Sequence, residues 1–186
     1  MNKKYSVIIL GFISAFIIIT YNLFFINSVL LLLNYGIGFI FGFFISTGTN
    51  MLLKKNLIEE QLKLILFSSA LFMCYFFLKY FINRIVDNSF FSEIFSVFIN
   101  TNIFLLYYFN LYKINLSTKR ILSGAVLIGF STFWTELGYD QFLNISIAFW
   151  GMALWQIEIS IFINKSIISA ADTTHTKQNH NKKIPS

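Results

Sequence analysis

The chain has 186 residues, of which 56% are hydrophobic and only 12% are charged. A soluble domain carries roughly 25% charged residues, and a water-soluble fold of this size could not bury so much apolar surface. The composition therefore excludes an ordinary soluble domain and predicts an integral membrane protein in contact with the lipid bilayer. The formal net charge of +6 is interpreted as cations that flank membrane spans, and no nucleic acid is expected as a partner.

Six apolar runs follow one another along the chain, and each is close to the ~20 residues that a helix needs to cross the hydrocarbon of a bilayer. The runs cover residues 5–25, 29–50, 64–82, 90–111, 121–139 and 142–164. Their connections are short, so consecutive helices are expected to be antiparallel neighbours. We expect an all-α integral membrane protein, a bundle of about six transmembrane helices with short loops at residues 1–165. A polar, disordered cytoplasmic tail is expected at residues 166–186.

The basic residues are unevenly distributed between the two sides of these spans. Twelve of the fourteen precede the first run, follow the sixth, or lie in the second–third and fourth–fifth connections, whereas only Lys79 and Arg84 lie on the other side. Short loops rich in Lys and Arg stay in the cytoplasm. The distribution therefore predicts a multi-pass protein of the cell (inner or plasma) membrane with both termini in the cytoplasm.

Glycines in two spans point to close helix packing. Gly38 and Gly42 form a GxxxG pattern in the second span, and Gly151 lies in the sixth. Small residues at four-residue spacing allow two helix backbones to approach closely. We favour close packing within the bundle over dimerisation or an unwound binding segment at this position.

A polar stripe runs along the sixth predicted span. Asn144, Gly151, Glu158 and Lys165 are each seven residues apart, so they lie nearly on one line, and Trp155 lies beside that line. A carboxylate inside hydrocarbon is costly unless it is paired, protonated or hydrated. Glu158 is therefore expected to face the bundle interior, where the indole N–H of Trp155 could meet it.

The fourth span has a similar stripe, with Glu93, Asn100 and Tyr107 at seven-residue spacing. Packing the two stripes together would keep their polar groups away from lipid. Hydrogen bonds between helices are the simpler explanation for the two asparagines, while an intramembrane carboxylate is a functional candidate by default. The candidate ligand- or ion-binding residues are Glu158, Asn144, Trp155, Asn100 and Glu93.

The predicted spans contain no recognisable catalytic set. They hold no His, and neither Asp87 nor Asp140 lies deep in a span, so intramembrane metalloprotease and aspartyl protease chemistry is not expected. No enzyme activity, metal or other cofactor is expected.

Two function classes remain open. The first, which we favour, is a non-enzymatic small integral subunit, assembly factor or immunity-type partner of another membrane protein, or a homo-oligomer. The second is a small-molecule or ion binding or transport protein with a polar site between the fourth and sixth helices.

Overall fold

The protein is described by a computed structural model that covers residues 3–24, 30–137 and 147–181. Within these ranges a short 3₁₀ turn at Lys3–Tyr5 is followed by six α-helices, with no strand. The helices are α1 (Ser6–Phe24), α2 (Leu30–Leu53), α3 (Ile58–Val86), α4 (Ser89–Leu111), α5 (Thr118–Leu137) and α6 (Ile147–Asn181). The predicted helical bundle with short connections is confirmed at this level.

Four segments are long and apolar enough to cross a membrane: Lys3–Thr20, Gly36–Leu53, Ile58–Val86 and Ile94–Leu111. The charged residues Lys119, Arg120 and Glu136 lie within α5 and shorten its uncharged stretch. In α6, Glu158 and Lys165 interrupt the apolar sequence.

Two helices are longer than the apolar runs that predicted them. The third run covers residues 64–82, but α3 covers Ile58–Val86. Glu59 and Glu60 lie in its first turn, and Arg84 lies in its last. Both sets of charges are favourable for the helix dipole. The sixth run ends at residue 164, but α6 continues to Asn181, because no Gly or Pro interrupts the polar sequence after it. The helix therefore extends beyond the apolar run into the polar sequence.

Local signals turn the chain at the helix ends. The α4 helix begins after Asn88, whose side chain accepts a hydrogen bond from the Phe91 N–H at 3.2 Å. Lys54, Asp87 and Lys113 follow helix ends with φ values of 55°, 49° and 53°. This left-handed conformation stops helix propagation and reverses the chain within a few residues.

The six helices form a closed ring. Each of them packs against the next one in the chain, and α6 packs against α1. Helices α2, α4 and α6 therefore run in one direction, and α1, α3 and α5 run in the other. The ring encloses a core that contains Phe41, Leu64, Phe104, Tyr108 and Ile159, all fully buried.

The basic residues of the described chain gather at one end of the ring, where α3 and α5 begin and α2 and α4 end. We call this the basic end. Its exposed cations are Lys3, Lys4, Lys54, Lys55, Lys63, Lys113, Lys119, Arg120 and Lys165. The opposite end of the described chain carries Lys79 and Arg84.

Candidate functional site

A layer of aromatic side chains fills the centre of the ring. Phe41 of α2 lies 5.3 Å, centroid to centroid, from both Phe104 of α4 and Trp155 of α6. Phe72 of α3 meets Trp155 edge-on at 5.3 Å. Aromatic pairs at these separations and tilts are favourable beyond the area they bury. Side chains from four helices therefore meet in this aromatic layer.

Trp155 joins α6 to α4 within the aromatic layer. Its indole N–H donates to Thr101 Oγ1 at 2.7 Å, and the Thr101 hydroxyl donates to the Val97 carbonyl at 2.7 Å. The predicted contact between this indole N–H and Glu158 is therefore not the one that forms. A polar contact between the fourth and sixth helices does exist, but through a threonine that the seven-residue stripe did not include.

Glu158 lies at the edge of the interior. It is half-buried. Because Glu158 follows Gln156 by two residues, its side chain leaves α6 roughly 160° around the helix from the fully buried side chain of Gln156. It is on the same side of α6 as Phe162, whose ring lies against Gly124 of α5. Glu158 therefore lies on the side of α6 that faces α5.

The other residues of the sixth-span stripe are separated by their surroundings. Gly151 is buried, Lys165 is exposed, and Asn144 lies outside the described residues. The continuous polar line expected along α6 therefore does not lie in one environment.

The buried polar stripe of α6 instead has four-residue spacing. Gln156, Ser160 and Asn164 face α1, and we call this contact the polar seam. Ser14 Oγ donates to Gln156 Oε1 at 2.9 Å, and Asn164 Nδ2 donates to the Lys4 carbonyl at 3.0 Å. Gln156 Nε2 and Asn164 Oδ1 have no hydrogen-bond partner within the described parts of the chain. Seven-residue spacing does not reveal this stripe, although four-residue spacing also marks one helix face.

The polar side chains of the α4 stripe form hydrogen bonds with carbonyl groups of their own helix. Asn100 is buried, and its Nδ2 donates to the Ser96 carbonyl at 2.8 Å. Ser96 Oγ donates in turn to the Ser92 carbonyl at 2.6 Å. The Glu93 side chain lies outside what the structure describes. Among the described residues, α4 and α6 meet across the interior through Thr101, Phe104 and Trp155, while α5 lies between the two helices around the ring.

A second buried polar group lies nearer the basic end. Tyr108 Oη and Thr49 Oγ1 are 2.5 Å apart, and the Thr49 hydroxyl donates to the Ile45 carbonyl at 2.8 Å. The Tyr108 hydroxyl is therefore the donor to Thr49. Tyr112 lies beside it, with ring centroids 4.9 Å apart. Tyr112 lies just past the end of α4. Burial raises the pKa of Tyr112, and the negative charge of Glu60 raises it further.

Glycines allow the close approach of α2 and α3 within one chain. A Cβ placed on Gly38 would lie 2.5 Å from the Ser68 carbonyl oxygen, and one on Gly42 would lie 2.9 Å from Ile65 Cα. Ser68 Oγ also donates to the Gly38 carbonyl at 2.7 Å. Gly11 likewise allows α1 to approach Ser160 of α6 closely across the polar seam. Gly11 does not stand out in the sequence, because no second glycine lies four residues away.

All polar side chains buried in the described residues are neutral. They come from Ser, Thr, Asn and Gln, together with the hydroxyls of Tyr108 and Tyr112 and the indole N–H of Trp155. Such groups exchange hydrogen bonds but carry no charge, so the described interior is suited to packing or to binding a neutral polar group. Comparisons with protein-family models, curated proteins and solved structures found no match.

Proposed function

We propose that the chain is a non-enzymatic protein of the cell membrane that spans the bilayer six times and acts by packing against another membrane protein. The aromatic layer is the observation that carries this proposal. A protein that conducts ions through its centre needs a hydrated or charged path, whereas Phe41, Phe104 and Trp155 fill the centre of this ring. The partner would then contact the outer surface of the bundle.

Both termini are proposed to be cytoplasmic, and the basic end supports this orientation. The test uses single cysteines in a Cys74→Ser background. Asn83→Cys is expected to react with a membrane-impermeant maleimide on intact cells, whereas Asn56→Cys is expected to react only after permeabilisation. Both positions are exposed, so access through the membrane decides the result. Labelling of position 56 in intact cells would reverse the proposed orientation.

The outward face of α3 is where we expect the partner to dock. Ala70 and Cys74 are exposed, lie four residues apart on one helix face, and are flanked by the exposed Leu66 and Phe77. Small residues at this spacing allow another helix to approach closely in a bilayer, where hydrophobicity alone does not drive association. This face therefore supports the partner proposal independently of the filled centre.

The sole cysteine allows a direct test of this docking face. A photoactivatable thiol reagent attached to Cys74 in native membranes is expected to cross-link one defined membrane protein, or a second copy of the chain. Ala70→Leu is expected to abolish that product because the added side chain keeps the helices apart.

The matched control places the reagent at Phe16→Cys in a Cys74→Ser background, since Phe16 is 69% exposed on α1. Identical products from positions 16 and 74 would contradict a specific docking face on α3.

A second candidate function is small-molecule or ion handling near α4 and α6. The half-buried Glu158 favours it, because a carboxylate in hydrocarbon is often functional. Under the partner proposal, Glu158→Gln should be tolerated, because the amide can replace most hydrogen bonds of the carboxylate, and it should leave the Cys74 cross-link intact. The deciding measurement is proton and sodium flux into vesicles that contain either the wild-type protein or the Glu158→Gln variant. A flux that wild type supports and Glu158→Gln loses would establish the second candidate.

A further inference from the structure

The charges at the basic end are unevenly distributed among the helices. The carboxylates that the structure describes there, Glu59 and Glu60, both lie in the first turn of α3, where Glu59 pairs with Lys63. The side opposite α3 in the ring carries an excess of positive charge. Four of its cations form no ion pair with a described carboxylate: Lys113, Lys119, Arg120 and Lys165.

Arg120 is positioned at the contact between α5 and α6. It is exposed in the first turn of α5, and its Nη1 donates to Ser169 Oγ of α6 at 3.2 Å. An arginine side chain has five N–H donors in a planar fork, so most of them remain for another acceptor. The hydroxyl of Ser169 orients the guanidinium toward α6 but does not balance its charge.

Lys165 lies on the same side of α6 as Ser169. The two residues are four apart, about one turn and roughly 6 Å along the helix axis. Two turns before Ser169, Phe162 lies against Gly124 of α5. Phe162, Lys165 and Ser169 therefore follow the contact with α5 along one side of α6. The long side chains of Lys165 and Arg120 can reach one acceptor at this boundary.

The acidic residues of α6 lie at other levels of the helix. Glu158 is seven residues before Lys165, roughly 10 Å along the axis away from the basic end. Asp172 is one turn past Ser169, and its side chain lies outside what the structure describes. An anion held by Lys165 would therefore be separated from the Glu158 carboxylate by about two turns.

An exposed apolar surface adjoins these cations on α5. Leu127 is seven residues after Arg120, on the same helix face, and is 72% exposed. Leu122 and Val126 are also exposed on α5. If the chain spans the bilayer, these side chains contact acyl chains, and Arg120 lies where the uncharged stretch of α5 begins, at the level of the headgroups. The matching anion combines a phosphate, which suits the guanidinium fork, with hydrocarbon.

We propose that the phosphate of an anionic phospholipid binds at the boundary of α5 and α6, between Arg120 and Lys165. Both cations contact the phosphate oxygens, and an acyl chain lies along Leu127. The excess of positive charge selects an anionic headgroup over a zwitterionic one. The site rests on the membrane insertion of the proposed function but does not require the protein partner that docks on α3.

Lipid binding to the purified full chain in neutral detergent tests the charge selectivity. Native mass spectrometry measures the dissociation constants of dioleoyl phosphatidylglycerol and dioleoyl phosphatidylcholine, which have the same acyl chains. Phosphatidylglycerol is expected to bind about tenfold more tightly, because its headgroup carries a net negative charge. Equal binding of the two lipids would overturn the proposal.

Charge-removing variants locate the site. Arg120→Gln and Lys165→Gln should each weaken phosphatidylglycerol binding about fivefold. Lys55→Gln is the matched control, because it removes an exposed cation from the α2–α3 connection at the same end. Its distant, screened charge should change binding less than about twofold. Equal losses at positions 55, 120 and 165 would show a diffuse attraction to the whole basic end and would overturn the site.

Two further measurements keep the interpretation clear. Melting temperature without added lipid checks that each variant is folded, and Lys165→Gln provides the test by itself if Arg120→Gln does not fold. Glycerol 3-phosphate carries the phosphate without hydrocarbon and is not expected to displace the lipid. Displacement at concentrations comparable to that of the lipid would assign the site to a soluble phosphate compound and overturn a lipid site. Membrane insertion is tested separately, by the labelling of positions 56 and 83, so the two failures are distinguishable.

Discussion

Trp155→Ala is expected to lower the free energy of unfolding by about 3 to 5 kcal/mol, the range for truncating a buried large aromatic residue. Trp155 is 7% exposed and contacts Phe41, Phe72 and Phe104, so its removal leaves a cavity at the centre of the ring. Thermal or denaturant unfolding of the purified chain in detergent measures the loss.

The hydrogen bond of this tryptophan can be tested without creating a cavity. Thr101→Val keeps the volume of the side chain but leaves the indole N–H without an acceptor, which should cost about 1 to 3 kcal/mol.

Phe16→Ala is the control for Trp155→Ala, because Phe16 is 69% exposed on α1 and its loss leaves no internal cavity. If Trp155→Ala and Phe16→Ala destabilised the protein equally, the aromatic layer would not be the centre of the core.

Gly38→Ala is expected to cost about 1 to 3 kcal/mol through overpacking between α2 and α3. The new Cβ would lie 2.5 Å from the Ser68 carbonyl oxygen and 2.7 Å from Ser69 Cα, and both atoms belong to the helix backbone. The two helices must therefore separate to accommodate it. Gly42→Ala should act in the same direction, since its Cβ would lie 2.9 Å from Ile65 Cα. Unfolding in detergent measures both changes.

Gly36 provides a matched control on the same helix. A Cβ at Gly36 would have no heavy atom within 4 Å, so Gly36→Ala removes helix flexibility without a clash. It should be neutral or stabilising by up to ~1 kcal/mol, the difference in helix propensity between glycine and alanine. Equal losses at positions 36, 38 and 42 would show that the close approach of α2 and α3 is not what these glycines provide.

The candidate site shows what the sequence did not predict. The stripes that contain Glu158 and Asn100 were expected to pack together, but Asn100 Nδ2 donates to the Ser96 carbonyl and Glu158 lies on the side of α6 that faces α5. Seven residues in a straight α-helix fall about 20° short of two full turns, so a stripe at this spacing drifts around the helix. Gln156, Ser160 and Asn164 form the polar stripe that α6 actually buries.

Local composition was sufficient to predict the six helices. Long apolar runs without an internal proline form helices wherever they lie, and their short connections require antiparallel neighbours. The clustering of basic residues at one end follows from the same alternation. These features depend on residues that are close together in the chain.

The closure of α6 onto α1 and the rotation of each helix depend on residues far apart in the chain. Gly11 admits Ser160, and Trp155 reaches Thr101, only because the ring has closed. Hydrophobic spacing could not predict these pairings, because apolar side chains cover the outer surface of the bundle as well as its interior. Close packing of small residues and the pairing of buried polar groups made that distinction in the folded chain.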